Sequence, residues 1–200
     1  MTHTFMHRMF QDYVCARFLV DGTDDIAEYF STISDNSRRA RIWELSCALS
    51  SDASDLLRLE LKAAPSRRLE SANLLASTFS QDISATHTSV AESCVAIRDA
   101  LEGYSGILTK CSPADFGLPE KNLWGEFAWG VWLRPPLDAP SSSIVDLLHA
   151  VRQARMGTAL EHLCTVLSES TNETVQYIGH LLKVDGEYLR LGKPDQAQFL

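Results

Sequence analysis

Asp146 and His149 stand three residues apart in SSSIVDLLHAVRQ, and Glu161, His162 and His180 follow further along the chain. On a helix that spacing puts a carboxylate and an imidazole on one face, the kind of pair that builds metal centres inside helical bundles. A di-metal bundle needs more: a Glu from each of two helices and a Glu-x-x-His step from each of two others. This chain has one such step, with Asp in place of Glu. No metal and no cofactor are therefore expected, and His149 and His162 read as surface or helix-flank residues. His180 falls on the apolar side of a predicted hairpin and reads as a core histidine with a satisfied hydrogen bond.

Nucleophilic and phosphate chemistry lack their usual signals. There is no G-x-S-x-G elbow, Walker A loop, G-x-G-x-x-G or H-E-x-x-H. Cys15, Cys47, Cys94, Cys111 and Cys164 are scattered and never in C-x-x-C spacing, so they read as buried reduced thiols rather than a disulfide framework or zinc knuckle. The expectation is a protein without catalytic residues of its own, in a reducing cytoplasm. The N-terminal stretch is interrupted by Arg8, Gln11, Asp12 and Arg17, and no apolar run reaches membrane-spanning length. A formal charge of -8 sets the chain against phosphate backbones, which excludes nucleic acid as the expected partner.

The elements that would position these residues divide the 200-residue chain into a helical lobe, 1–112, and a small α+β lobe, 113–200. In the first lobe Met6, Met9, Phe10, Tyr13, Val14 and Phe18 recur at three and four, one stripe along a helix. Asp24 or Thr23 can cap a short helix carrying Ile26, Tyr29, Phe30 and Ile33, and Asp35 or Ser37 another carrying Ile42, Leu45 and Leu49. A further helix holds Leu56, Leu57, Leu59 and Leu61 and meets Pro65. From Ser66 to Glu102 there is neither Gly nor Pro, and the ladder from Leu69 through Phe79 and Val90 to Tyr104 permits one long helix or two broken near Ser80 to Ser84. That ladder reads as bundle core.

Three of the four tryptophans and five of the seven prolines fall between Pro113 and Pro140. Within this stretch residues 123 to 133 alternate, with Phe127, Trp129 and Val131 on one face and Trp124 and Trp132 on the other, which reads as a strand. Ser141 to Ser143 cap a helix through Leu147 and Val151, and Gly157 separates it from a continuation through Leu160 and Leu167. The run VQYIGHLLKVDGEYLRL then reads as a β-hairpin, because Asp185-Gly186 suits a two-residue type I′ turn. The expected fold class is α+β: a mostly helical N-terminal lobe with a three-stranded antiparallel sheet and backing helix at the C-terminus.

The function expected from this layout is that of a non-catalytic accessory or adaptor subunit forming a heterodimer with another protein, a catalytic subunit, and binding an extended peptide by strand addition to an open sheet edge. Trp124, Trp132, Tyr188 and Arg190 would select the peptide. Arg38, Arg39 and Arg41, basic residues near a predicted helix N-terminus, would be held by carboxylates or by a partner. In layout, and in no motif, the chain resembles leader-peptide-binding accessory subunits of peptide-natural-product maturation complexes, such as those making methanobactin. Two other classes suit the same features: an immunity protein or secretion chaperone with a basic partner, and a helical enzyme or ligand-binding protein using His149, His162 or His180 between the lobes.

Overall fold

The structure, a computed structural model, describes residues 8–22, 26–33, 35–64, 68–105 and 142–190. These residues are mostly helical, and no strand occurs among them. In chain order the helices are α1 (Arg8–Gly22), α2 (Ile26–Thr32), α3 (Asn36–Leu49), α4 (Ser54–Ala63), α5 (Arg68–Thr78), α6 (His87–Tyr104), α7 (Ser142–Gln153), a 3-10 turn (Ala154–Met156), α8 (Leu160–Ser168) and α9 (Glu173–Arg190).

Local chemistry fixes where these helices begin. Asp35 caps α3 by accepting from the Arg38 backbone N–H at 3.0 Å, and Asn172 Oδ1 accepts from the N–H groups of Thr174 and Val175 at the start of α9. Both satisfy donors that a helix leaves orphaned in its first turn. Thr86 caps α6 by accepting from Ser89 N–H. Its own N–H donates to Ser54 Oγ at 2.8 Å, and Ala53 N–H donates to the Ser84 carbonyl at 2.7 Å, so the break between α5 and α6 is stitched to the start of α4. Of the two arrangements the sequence permits for residues 66 to 102, the broken one is found.

The larger core includes Leu57, Leu75, Phe79, Ile97, Val151 and Leu163 and draws on helices α4 to α9. The smaller one gathers Leu19, Phe30, Ile42, Trp43, Leu56 and Leu74, with Trp43 donating its indole N–H to Thr78 Oγ1 at 2.9 Å in the interior. Helix α1 packs along α3, α5 along α7, and α9 along α8.

The expected hairpin is corrected outright: residues 173 to 190 form one continuous helix. Val175, Ile178, Leu181, Leu182 and Asp185 are all buried, a helical period that the alternating reading of the same residues had masked. Asp185 and Gly186 serve helix packing instead of a turn. The Asp185 carboxylate takes Arg155 Nη1 at 3.1 Å and lies 3.7 Å from Arg152 Nε. Gly186 gives room to α8, since a β-carbon there would overlap Leu160 Cδ2. With the hairpin goes the C-terminal three-stranded sheet and therefore the α+β assignment. The Trp-rich strand expected at 123 to 133, with Trp124 and Trp132, lies outside the described residues.

Candidate interaction surface

Helix α1 is apolar on both sides, which is the unusual property of its sequence, RMFQDYVCARFLVDG. Its inner side lies on α3 and carries Ala16 and Leu19, both buried, together with one carboxylate, Asp12, at 1% exposure. Burying that carboxylate is costly unless it is paired and hydrogen-bonded. Two guanidiniums from α3 meet this need: Arg38 Nε donates to Asp12 Oδ1 at 2.9 Å and Arg41 Nε to Oδ2 at 3.0 Å. Burial pushes the Asp12 carboxyl up, but the hydrogen bonds and charges of Arg38 and Arg41 outweigh it and hold the group below its ordinary value of 3.8.

The same helix turns its largest apolar groups to the outside. Met9 is 69% exposed, Phe10 58%, Tyr13 43%, Val14 44% and Phe18 57%. At 100° per residue Phe10, Tyr13, Val14 and Phe18 fall on the half-turn away from Asp12, Ala16 and Leu19, and Met9, seven residues before Ala16, lies at its edge beside α3. Arg17 lies among them and is tied along the helix to Asp21. Where the stripe meets α3, a cleft of about 320 Å³ runs between Met9, Tyr13, Arg41, Leu45 and Ala48. It continues the apolar face onto a second helix.

Several polar groups around this face are paired within the protein. Cys15 receives a long contact from Arg38 Nη2 at 3.9 Å, and the phenol of half-buried Tyr29 is pushed up to about 12, first by its partial burial and then by the Cys15 thiol beside it. Arg39 turns the other way and reaches Glu60 Oε2 at 3.4 Å, while Ser71 donates to Glu60 Oε1 at 2.6 Å. Arg38, Arg39 and Arg41, for which carboxylates or a partner were expected, meet carboxylates here and join α1, α3 and α4. Arg38 and Arg41 keep part of each side chain open to solvent.

Tyr188 and Arg190 occupy the last turn of α9 rather than a strand. The imidazoles weighed as metal ligands or bases find separate surroundings. His149 is exposed and lies 3.4 Å from Gln153 on its own helix. His162 meets His87 of α6. His180, expected in the core, is exposed and lines a cleft of about 530 Å³ between α8 and α9, with Glu161, Cys164, Lys183 and Glu187. Among the described residues no group of three or more His, Cys, Asp or Glu is placed to hold a metal ion. Cys47 and Cys94 are fully buried, and burial pushes both thiols up to about 12.

The sequence reveals the α1 stripe but not the direction it faces. The available signal was that Ala16 and Leu19 make the opposite side apolar too, so a single neighbour could cover only half of the helix. No helix among the described residues is long and apolar enough to cross a membrane. No protein-family model matches the chain, and comparison with curated proteins and with solved structures likewise finds no match.

Proposed function

We propose that the protein is a non-catalytic helical adaptor that docks another polypeptide on the outer face of α1. One observation carries this reading: Met9, Phe10, Tyr13, Val14 and Phe18 lie exposed on one side of a helix whose other side is fixed by a buried carboxylate. Five large side chains, each about half exposed, present on the order of 500 Å² of mostly apolar surface, toward the upper end for a monomer's largest patch. Isolated exposed apolar residues need no explanation, but five large ones grouped on one side of a single helix, around the Arg17–Asp21 pair, do.

The partner's chemistry follows from the shape. A straight ridge at three- and four-residue spacing beside a cleft between two helices fits an amphipathic helix, whose apolar anchors would enter between Tyr13 and Leu45. Aromatic groups at the centre of such a contact supply most of its affinity. Addition of a peptide strand is not part of this reading, because the described residues offer no sheet edge. An immunity protein or a secretion chaperone would use the same surface, and the identity of the partner separates those roles from a biosynthetic adaptor.

A photoreactive amino acid at Phe18, introduced in the native host, tests the reading. One discrete cross-linked polypeptide is expected, and it should vanish when Phe10 is changed to Asp. Cross-linking only to a second copy of this chain would make the face a homodimer contact, and no product at all would remove the adaptor reading.

A further inference from the structure

We infer that His87 and His162 form a two-imidazole site for a borderline divalent transition-metal ion, of the class of Zn²⁺, Ni²⁺ or Cu²⁺. The residues are 75 positions apart, yet their Nε2 atoms are 2.6 Å from each other. The ring centroids are 4.2 Å apart and the planes meet at 76°. For two neutral imidazoles such a contact needs a proton on one nitrogen and a lone pair on the other. Both Nε2 atoms are therefore directed at the same small volume, on a side chain that is exposed (His87) and one that is half-buried (His162).

A metal–imidazole bond is about 2.0–2.1 Å, so two of them at a tetrahedral angle hold their nitrogens roughly 3.3 Å apart. Separating the two Nε2 atoms by less than about 1 Å, tilting the exposed His87 ring so that both lone pairs converge on the ion, and passing the shared proton through solvent from Nε2 to the Nδ1 of the same ring convert the contact into that bite. The backbones beneath are already placed. His87 is the first residue of α6, directly after the Thr86 cap that is bound to Ser54, and His162 lies between Leu160 and Leu163, both core residues of α8. Backbones fixed in this way lower the ordering cost that two ligands on flexible segments would incur.

Neutral imidazole suits Zn²⁺, Ni²⁺ and Cu²⁺, with Cu²⁺ the tightest of the series. The formal charge of -8 favours cations at the surface generally. With two protein ligands, water or an external ligand would complete the coordination, so the ion would exchange and would clip α6 to α8 rather than build the core. Sequence spacing paired His149 with Asp146 and left His162 without a partner of its own, whereas its neighbour in space comes from α6.

The test uses untagged full-length protein with His3 and His7 changed to Ala, which removes the N-terminal imidazoles. Calorimetric titration with Zn²⁺ should show one saturable equivalent, and the Cu²⁺ form should show electron paramagnetic coupling to two imidazole nitrogens. His87→Ala and His162→Ala should each abolish the saturable phase while circular dichroism stays unchanged. His149→Ala and His180→Ala should leave it intact. His87→Gln, which preserves a polar group, serves as the folding control. Absence of saturable binding, or binding that persists without His87 and His162, would overturn the site and leave a proton-shared hydrogen bond.

Discussion

Arg38 crosses from α3 to donate its Nε hydrogen to Asp12 at 2.9 Å, and this ion pair, seconded by Arg41, sets the rotation of α1. Were α1 turned to bury Phe10, Val14 and Phe18, Asp12 would leave its guanidiniums and both arginines would lose a partner. The helix therefore buries its only inward carboxylate and shows its aromatic side. Position and exposure of the proposed docking face follow from that one arrangement.

Asp12→Asn should destabilise the protein by about 2 kcal/mol at neutral pH, between the values for exposed and buried pairs because the arginines keep partial solvent contact. The Asp12 carboxyl is held below 3.8 in the folded state. Its stabilisation is thus fully present above the unfolded-state value and is lost as pH falls through the lower folded value. Urea unfolding at neutral pH and at stepwise lower values should show wild type and variant converging in acid. A stability gap that does not change with pH would contradict the pairing.

Gly179 is buried where α9 crosses α8, and a β-carbon there would sit 2.7 Å from the Ser168 backbone nitrogen. Gly179→Ala improves helix propensity by up to about 1 kcal/mol, yet overpacking against backbone costs about 1–3 kcal/mol, so net destabilisation is expected. An increase in melting temperature would show that α8 and α9 do not approach as described.

Asp185→Ala should cost about 3 kcal/mol, because Arg152 and Arg155, both largely buried, would lose the carboxylate that they share. A turn residue in a hairpin would cost far less. Denaturant unfolding of this variant therefore separates the helix from the hairpin as well as measuring the ion pair.

Native thiol reactivity should be uneven. Cys47 and Cys94, buried and pushed up to about 12, should resist maleimide at pH 8 until the protein opens, whereas half-buried Cys15 should react ahead of them. Peptide mapping by mass spectrometry reads each site separately. Rapid labelling of Cys47 without unfolding would place the smaller core in question.

Most helices were legible because their signals are local: Asp35 before α3, the Ser- and Thr-rich break before Thr86, and the apolar ladder through Ile97. The C-terminal helix was not, because Asp185-Gly186 satisfies two different physical demands. In a hairpin it supplies positive backbone φ, and in a helix it supplies an acid for two arginines and a gap for Leu160. Sequence shows the dipeptide but not Arg152, Arg155 or Leu160 beside it. The same limit applies to α1, whose stripe is visible while its direction depends on Arg38 and Arg41. His87 and His162 are too far apart in the chain for spacing to join them.

The most direct measurement is the binding of the cross-linked partner, purified, to wild type and to a Phe10→Asp, Phe18→Asp double variant, with melting temperature recorded in parallel. Loss of each aromatic anchor should cost about 2 kcal/mol, so affinity should fall at least about a hundredfold. Because both side chains are more than half exposed, the melting temperature should stay within a few degrees. Wild-type affinity in a folded double variant would show that the outer face of α1 is not where the partner binds.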